Sequence, residues 1–317
     1  MSSCRSALAV QAVGLSFQNP VVLAAGTAAY GRELANVVRL DALGGLVTKA
    51  ISLQPRAGAP APRVGEFAGG MINAVGLANP GVAAVVRDHL PWLAHSLPDV
   101  RKVANVVGFA VEEFAGVIEL LENALSADVP GALDGYELNV SCPNVKAGGM
   151  EFGADGAALT EVVRRARSVT KRPLFVKLSP TLPDIARSAE IAVDAGADAL
   201  TLVNTIPGLV VDTNRRRPAL GFGTGGVSGT ALLPVGVLAT WKVSRRVRVP
   251  LLGVGGVRAA DDALQYLMAG ASLVGIGTAM LRDPRAPERV VRDLDRWCAA
   301  NRVERISDIV GTLEMGT

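Results

Sequence analysis

The sequence predicts an α/β fold, a (β/α)8 TIM barrel with long βα loops at its C-terminal face. Three observations predict it. Eight short β-branched, apolar runs alternate with segments of helical periodicity along the 317 residues, the pattern of a parallel sheet wrapped by helices. Each run ends in polar residues or glycines rather than in more core formers. Two long interruptions, residues 52–75 and 205–230, follow the second and sixth runs, where a barrel carries its active-site loops. A doubly wound open sheet is the competing arrangement. No Pro/Ser/Gly-rich linker divides the chain, so a single domain over residues 1–317 is expected.

Strands are expected at residues 21–25, 46–50, 103–107, 136–140, 174–178, 199–203, 251–254 and 273–276. After the third, Phe114, Val117, Ile118, Leu121 and Leu125 recur at three- and four-residue spacing and make one apolar helix stripe; after the fourth, Val162, Ala166 and Val169 make another. Thr181 to Asp184 resembles a capping box opening the next helix. Gly196 and Gly270 stand where the glycine that ends a helix belongs. Eight strands, each with a following helix, complete the arithmetic of the barrel.

Half of the residues are hydrophobic and 19% are charged, a balance that excludes a disordered chain. A net charge of +3, with no dense Lys/Arg run interleaved with aromatics, argues against a nucleic-acid partner. The one basic cluster, Arg215 to Arg217, reads as a solvated loop or an anion contact. No apolar stretch long enough for a membrane span occurs free of Gly, Pro or charge, and the N-terminus lacks the apolar segment of a signal peptide. Cys4, Cys142 and Cys298 are odd in number and far apart. They suggest a reducing, cytoplasmic setting and cannot hold an iron–sulfur cluster within one chain. His89 and His95 flank Trp92 without carboxylate spacing, so no metal site is expected.

The strand ends carry the chemistry. In order they read Gly26-Thr27, Lys49, Asn105, Asn139 with Cys142, Lys177, Asn204-Thr205, Gly255-Gly256 and Gly277-Thr278. In a barrel all of these converge on one face. Glycines after the last two strands suit a phosphate, because backbone N–H groups there can approach an anion closely. A lysine pointing into a barrel mouth needs an anionic partner or a depressed pKa. Either Lys49 or Lys177 could form a Schiff base, the aldolase-like alternative. Asparagines offer paired donors and acceptors without charge, which suits a flat heterocycle with imide and amide edges. Pro143 places the Cys142 thiol on a turn among polar neighbours, unlike a core cysteine. Residues 221–226 match GxGxxG but do not lie between a strand and a helix, so a dinucleotide site is a weak reading.

Three blocks carry a family resemblance: Thr48 to Arg56 with Pro62-Arg63, Gly70 to Gly81, and Asn139 to Lys146. With them, nearly the whole chain resembles the class 1B dihydroorotate dehydrogenase catalytic subunits, flavin enzymes of pyrimidine synthesis. The run from Val145-Lys146 into Gly148 to Gly153 favours that branch over the fumarate-linked one. The resemblance implies one FMN per subunit, contacted at Ala25, Lys49, Ala50, Asn105, Asn139, Lys177 and Val203, with its phosphate at Gly229, Gly255, Gly256, Gly277 and Thr278. It implies dihydroorotate held by Lys49, Asn73, Ala74, Val75, Gly76, Leu77, Asn139, Asn144, Asn204 and Thr205. Cys142 is then the general base at C5, with hydride leaving C6 for FMN and Lys177 stabilising charge on the reduced flavin. Electrons are expected to reach NAD+ through a partner subunit carrying FAD and a 2Fe-2S cluster, around a homodimer core within a heterotetramer. Ala25 stands where relatives often have a hydroxyl, so Thr27 is the substitute donor expected. Gly148 and Gly149 make the cysteine loop the candidate lid. The alternative is another FMN barrel dehydrogenase acting on dihydropyrimidines.

Overall fold

Eight parallel strands close into a barrel in sequence order in the computed structural model, which describes residues 7–141 and 152–316. They are β1 Val21–Leu23, β2 Gly45–Val47, β3 Arg101–Val106, β4 Gly135–Asn139, β5 Leu174–Leu178, β6 Ala199–Leu202, β7 Leu251–Val254 and β8 Leu273–Ile276. The strands form because each is a nearly continuous apolar run, as a sheet buried on both faces requires. Residues Leu174 to Leu178 and Ala199 to Leu202, for example, are buried without a break. The bounds of β5, β7 and β8 are those expected, and the other strands differ by one to three residues at an end. The doubly wound alternative is overturned by closure: β8 pairs with β1 through Val274–Val21, Gly275–Val22 and Ile276–Leu23.

Outside the strands, helix Val111–Ala127 buries Phe114, Val117, Ile118, Leu121 and Leu125, the stripe read from the sequence. Helix Gly156–Ser168 buries Val162 and Ala166 in the same way. Two expectations are corrected. No α-helix joins β1 to β2; only the 3-10 turns Arg32–Leu34 and Leu40–Ala42 occur there. The segment has no apolar stripe long enough to dock a helix, and Gly26 and Gly31 take positive φ. Asp184 is also not the third residue of a capping box. It is itself the N-cap of helix Ile185–Asp194, accepting from the Arg187 N–H at 3.0 Å.

The two long loops meet. Val64–Phe67 and Gly70–Asn73 from the loop after β2 pair with Gly225–Ser228 and Ile206–Gly208 from the loop after β6. The result is a four-stranded antiparallel sheet beside the barrel mouth. The GxGxxG match ends inside this sheet and opens no helix, which removes the dinucleotide reading. Arg215 to Arg217 lie on a separate hairpin, where Arg215 is 82% exposed beside Asp212. At the other end, the hairpin Val10–Ala12 and Leu15–Phe17 brings Phe17 to a small cavity also lined by Val22, Val47, Val103 and Phe175. No helix among the described residues is long and apolar enough to cross a membrane.

Candidate active site

A cleft with a cavity volume of about 150 Å³ opens at the C-terminal ends of the strands. Of the residues expected from the sequence, Ala25, Asn73, Lys177, Val203, Asn204, Thr205, Gly229, Gly255, Gly256, Gly277 and Thr278 line it. Residues in or just after seven different strands thus converge on one space. Thr27 also lines it, with its hydroxyl donating to the Ala24 carbonyl at 2.6 Å.

One end of the cleft is built from turns. Gly255 and Gly256 follow β7 with φ of 130° and 77°, a conformation that other L-residues resist. A Cβ on Gly256 would lie 2.6 Å from the backbone of Leu233, so the turn packs directly on the start of helix Leu233–Ser244, which precedes β7. Tyr266, fully buried on helix Ala260–Met268, donates its hydroxyl to the Gly255 carbonyl at 2.8 Å. Burial, then the nearby Asp262, pushes that phenol far above the usual tyrosine range, so it is a fixed donor. Thr278 Oγ1 donates to Ser228 Oγ at 2.8 Å and joins the turn after β8 to the mouth sheet. Among the described residues the N–H groups of Gly229, Gly256 and Gly277 donate to no backbone carbonyl outside the regular ladders. Three unspent donors around one end of a cleft suit a phosphate.

The other end is amide-rich. Lys177, at the penultimate position of β5, is 6% exposed. No hydrogen bond or ion pair engages its ammonium among the described residues. Asn204 Nδ2 donates to the Ser141 carbonyl at 3.1 Å, to Ser141 Oγ at 3.0 Å and to Asn139 Oδ1 at 3.4 Å. Asn139 Nδ2 donates to Asn105 Oδ1 at 3.5 Å. Ser141 therefore ties the chain entering Cys142 to the asparagines. Cys142 and Asn144, with Gly148 and Gly149, lie outside the described residues.

Other expected contacts lie around this frame. Lys49 is half-buried and its N–H donates to the Ala29 carbonyl at 2.7 Å. The Ala50 carbonyl accepts from Tyr30 at 3.3 Å. Asn73 lines the cleft, whereas Ala74 to Leu77 run on beside residues 56–63. There the Ala74 N–H donates to Arg63, and the Val75 carbonyl accepts from Ala59.

Several site residues were missed. Ser228 and Thr230 flank Gly229 in the cleft wall, and Arg258 and Arg282 stand at its rim in loose pairs with Asp262 and Glu66. Glu137 and Thr201 lie beneath the asparagines, 1% and 0% exposed. The signal for Glu137 was present: a carboxylate in the middle of an otherwise apolar strand.

The donor set fits FMN. The glycine turns and Thr278 would hold the phosphate, and the buried ammonium of Lys177 would face a flavin edge that gains negative charge. Among the described residues no group of His, Cys, Asp and Glu could hold a metal ion.

Comparison with known proteins agrees with this frame. A family model described as dihydroorotate dehydrogenase matches residues 7–297. A protein of Pelobacter propionicus, named dihydroorotate dehydrogenase B (NAD(+)), catalytic subunit, is 44% identical over 97% of this chain and 98% of its own length. The protein of the same name from Desulforudis audaxviator is 46% identical over 96% of each chain. A relative from Solibacter usitatus, provisionally named a dihydroorotate dehydrogenase A (fumarate), is 45% identical over 97% of this chain and 98% of its own. Among solved structures, the Eimeria tenella DHODH in complex with ferulenol superposes with a TM-score of 0.79 over 98% of this chain and 90% of that one. At 23% identity that likeness supports the fold.

Proposed function

The chain belongs to the dihydroorotate dehydrogenase family, and from that premise we propose that it is the catalytic subunit of a B-type enzyme, oxidising dihydroorotate to orotate in pyrimidine biosynthesis. The observation that carries the reading is Lys177. It is 6% exposed and lines the cleft, and its ammonium makes no hydrogen bond or ion pair among the described residues, between an amide cluster and a glycine-built anion site. A cation held at the wall of a largely apolar cleft with no partner from the chain is suited to an anionic or polar guest.

FMN, when bound, supplies the acceptor for the hydride that leaves C6 of the substrate. The chain supplies the rest. Cys142 removes the C5 proton as general base; an ordinary thiol titrates near about 8.5, so its thiolate fraction grows through the neutral range. Asn139, Asn144, Asn204 and Thr205 hold the polar edges of the ring, and Asn73 to Leu77 close its other side. Lys49 neutralises the substrate carboxylate. Lys177 offers positive charge at the N1–C2=O edge of the flavin. Ala25, Ala50, Asn105 and Val203 frame the cofactor, and Gly229, Gly255, Gly256, Gly277 and Thr278 bind its phosphate. A partner subunit carrying FAD and a 2Fe-2S cluster would take the electrons on to NAD+, around a homodimer core in the cytoplasm.

The Solibacter relative favours a second reading, a fumarate-linked enzyme, because its identity falls in the same range as that of the B-type relatives. One anaerobic titration tests both. Dihydroorotate is expected to bleach the flavin of the purified chain, with neither fumarate nor NAD+ alone restoring the colour efficiently. Rapid restoration by fumarate would transfer the chain to the A type, and a flavin that dihydroorotate leaves yellow would overturn the substrate.

A further inference from the structure

We propose that Glu137 is a positioning residue that sets the direction in which the site asparagines present their donors and acceptors. The proposal rests on the reading of the cleft as an FMN and dihydroorotate site.

The Glu137 side chain projects from the middle of β4 into the barrel, 1% exposed. Its two oxygens are taken separately: Oε1 accepts from Asn105 Nδ2 and Oε2 from Thr201 Oγ1, each at 2.6 Å. Both partners are neutral. Burying a carboxylate against neutral donors is costly, and apolar replacements of buried charges are often neutral or stabilising. Stability alone therefore gives little reason for a glutamate here.

Direction gives one. The oxygen and nitrogen of an asparagine amide are nearly equivalent in shape, so their partners decide which way the group points. A carboxylate can only accept. Asn105 must therefore turn Nδ2 toward Glu137, which leaves its Oδ1 facing Asn139 Nδ2, at 3.5 Å. Asn139 in turn shows Oδ1 to Asn204 Nδ2, at 3.4 Å. The far end is anchored independently: the Thr205 N–H donates to Asn204 Oδ1 at 2.8 Å. Every donor in the series points toward Glu137. The remaining amide hydrogens and lone pairs, which a ring with imide and amide edges would meet, are thereby assigned.

Glu137→Gln and Glu137→Met holoenzymes test this. Glutamine can turn its oxygen to Asn105 and its amide nitrogen to the Thr201 hydroxyl, which can also accept, so the direction is kept. Methionine has similar length and no comparable acceptor; Glu137→Leu takes its place should the methionine variant not fold. Orotate affinity is read from the flavin difference spectrum and FMN affinity from flavin fluorescence, each beside a melting curve. We expect both affinities to fall about tenfold or more in Glu137→Met with melting unchanged or higher, and to stay within about threefold in Glu137→Gln. Wild-type affinities in Glu137→Met would overturn the proposal. So would a Glu137→Gln variant as impaired as Glu137→Met, since charge rather than direction would then matter. Failure of dihydroorotate to bleach the wild-type flavin is a separate result: it removes the substrate reading, while the FMN affinities still report on the amide direction.

Discussion

Lys102 and Lys177 are both buried in the barrel, and they are treated in opposite ways. Lys102 stands near the start of β3, 3% exposed, and its ammonium donates to the Leu97 carbonyl at 3.0 Å. Its own N–H donates to Asp134, which Arg101 also contacts. Lys177 stands near the end of β5, 6% exposed, without such a partner among the described residues. At the closed end of the barrel the chain satisfies its buried cation from its own backbone. At the mouth it leaves the cation for a guest. The contrast separates residues that hold the fold from residues that act.

Substitutions at the mouth should therefore remove function and spare stability, with the reverse at the other end. The largest effect is expected for Cys142→Ala, which should lower turnover by about 10²–10⁴-fold with FMN retained. The wild-type rate should rise with pH through the neutral range, and near-normal turnover in the variant would remove the thiol from the mechanism. Lys177→Met should come next, with kcat down roughly 10²-fold and a melting temperature equal to or above that of the wild type. A lower melting temperature with normal kcat would erase the contrast between the lysines. Tyr266→Phe should be milder: losing one hydrogen bond to the Gly255 carbonyl should weaken FMN binding about threefold to tenfold, by fluorescence titration, without altering kcat at saturating FMN.

The smallest effect concerns Lys102. Burial holds its pKa below the ordinary lysine value of 10.5, with Asp134 opposing. The unfolded chain thus binds this proton more tightly than the folded one does. Between the folded value and 10.5, wild-type stability should rise with pH on this account. The melting loss of Lys102→Met should accordingly grow as pH climbs into that window. A difference independent of pH would show that the ammonium carries no such penalty.

Much of this was legible because a parallel barrel writes its strands as apolar runs. The run from Leu174 to Leu178 is buried along its whole length and was bounded correctly. Strand ends were equally readable, since Asn204, Thr205 and Gly255 are residues that core packing would not select. Reading failed where contacts are distant or where one residue departs from its run. The mouth sheet is made of three- and four-residue strands, too short for periodicity to register. Its pairing is decided by partners far away in sequence. Glu137 was passed over because Tyr136 and Leu138 made its strand look uniformly apolar. Between β1 and β2 the strand arithmetic predicts a helix, but the segment has no apolar stripe and forms only 3-10 turns.

The mouth sheet also ties the site to the order in which the chain can assemble. Asn73 and Gly226 meet across it although 153 positions separate them, and contacts of such range form only after intervening segments have been brought together. Residues 64–73 belong to the first half of the barrel and residues 206–228 to the second. A nascent chain that has emerged only through β4 therefore owns half of one cleft wall and none of the glycine turns. Cofactor capture is in this sense a test of completeness, and a ligand that binds only the closed barrel stabilises finished molecules over partial ones.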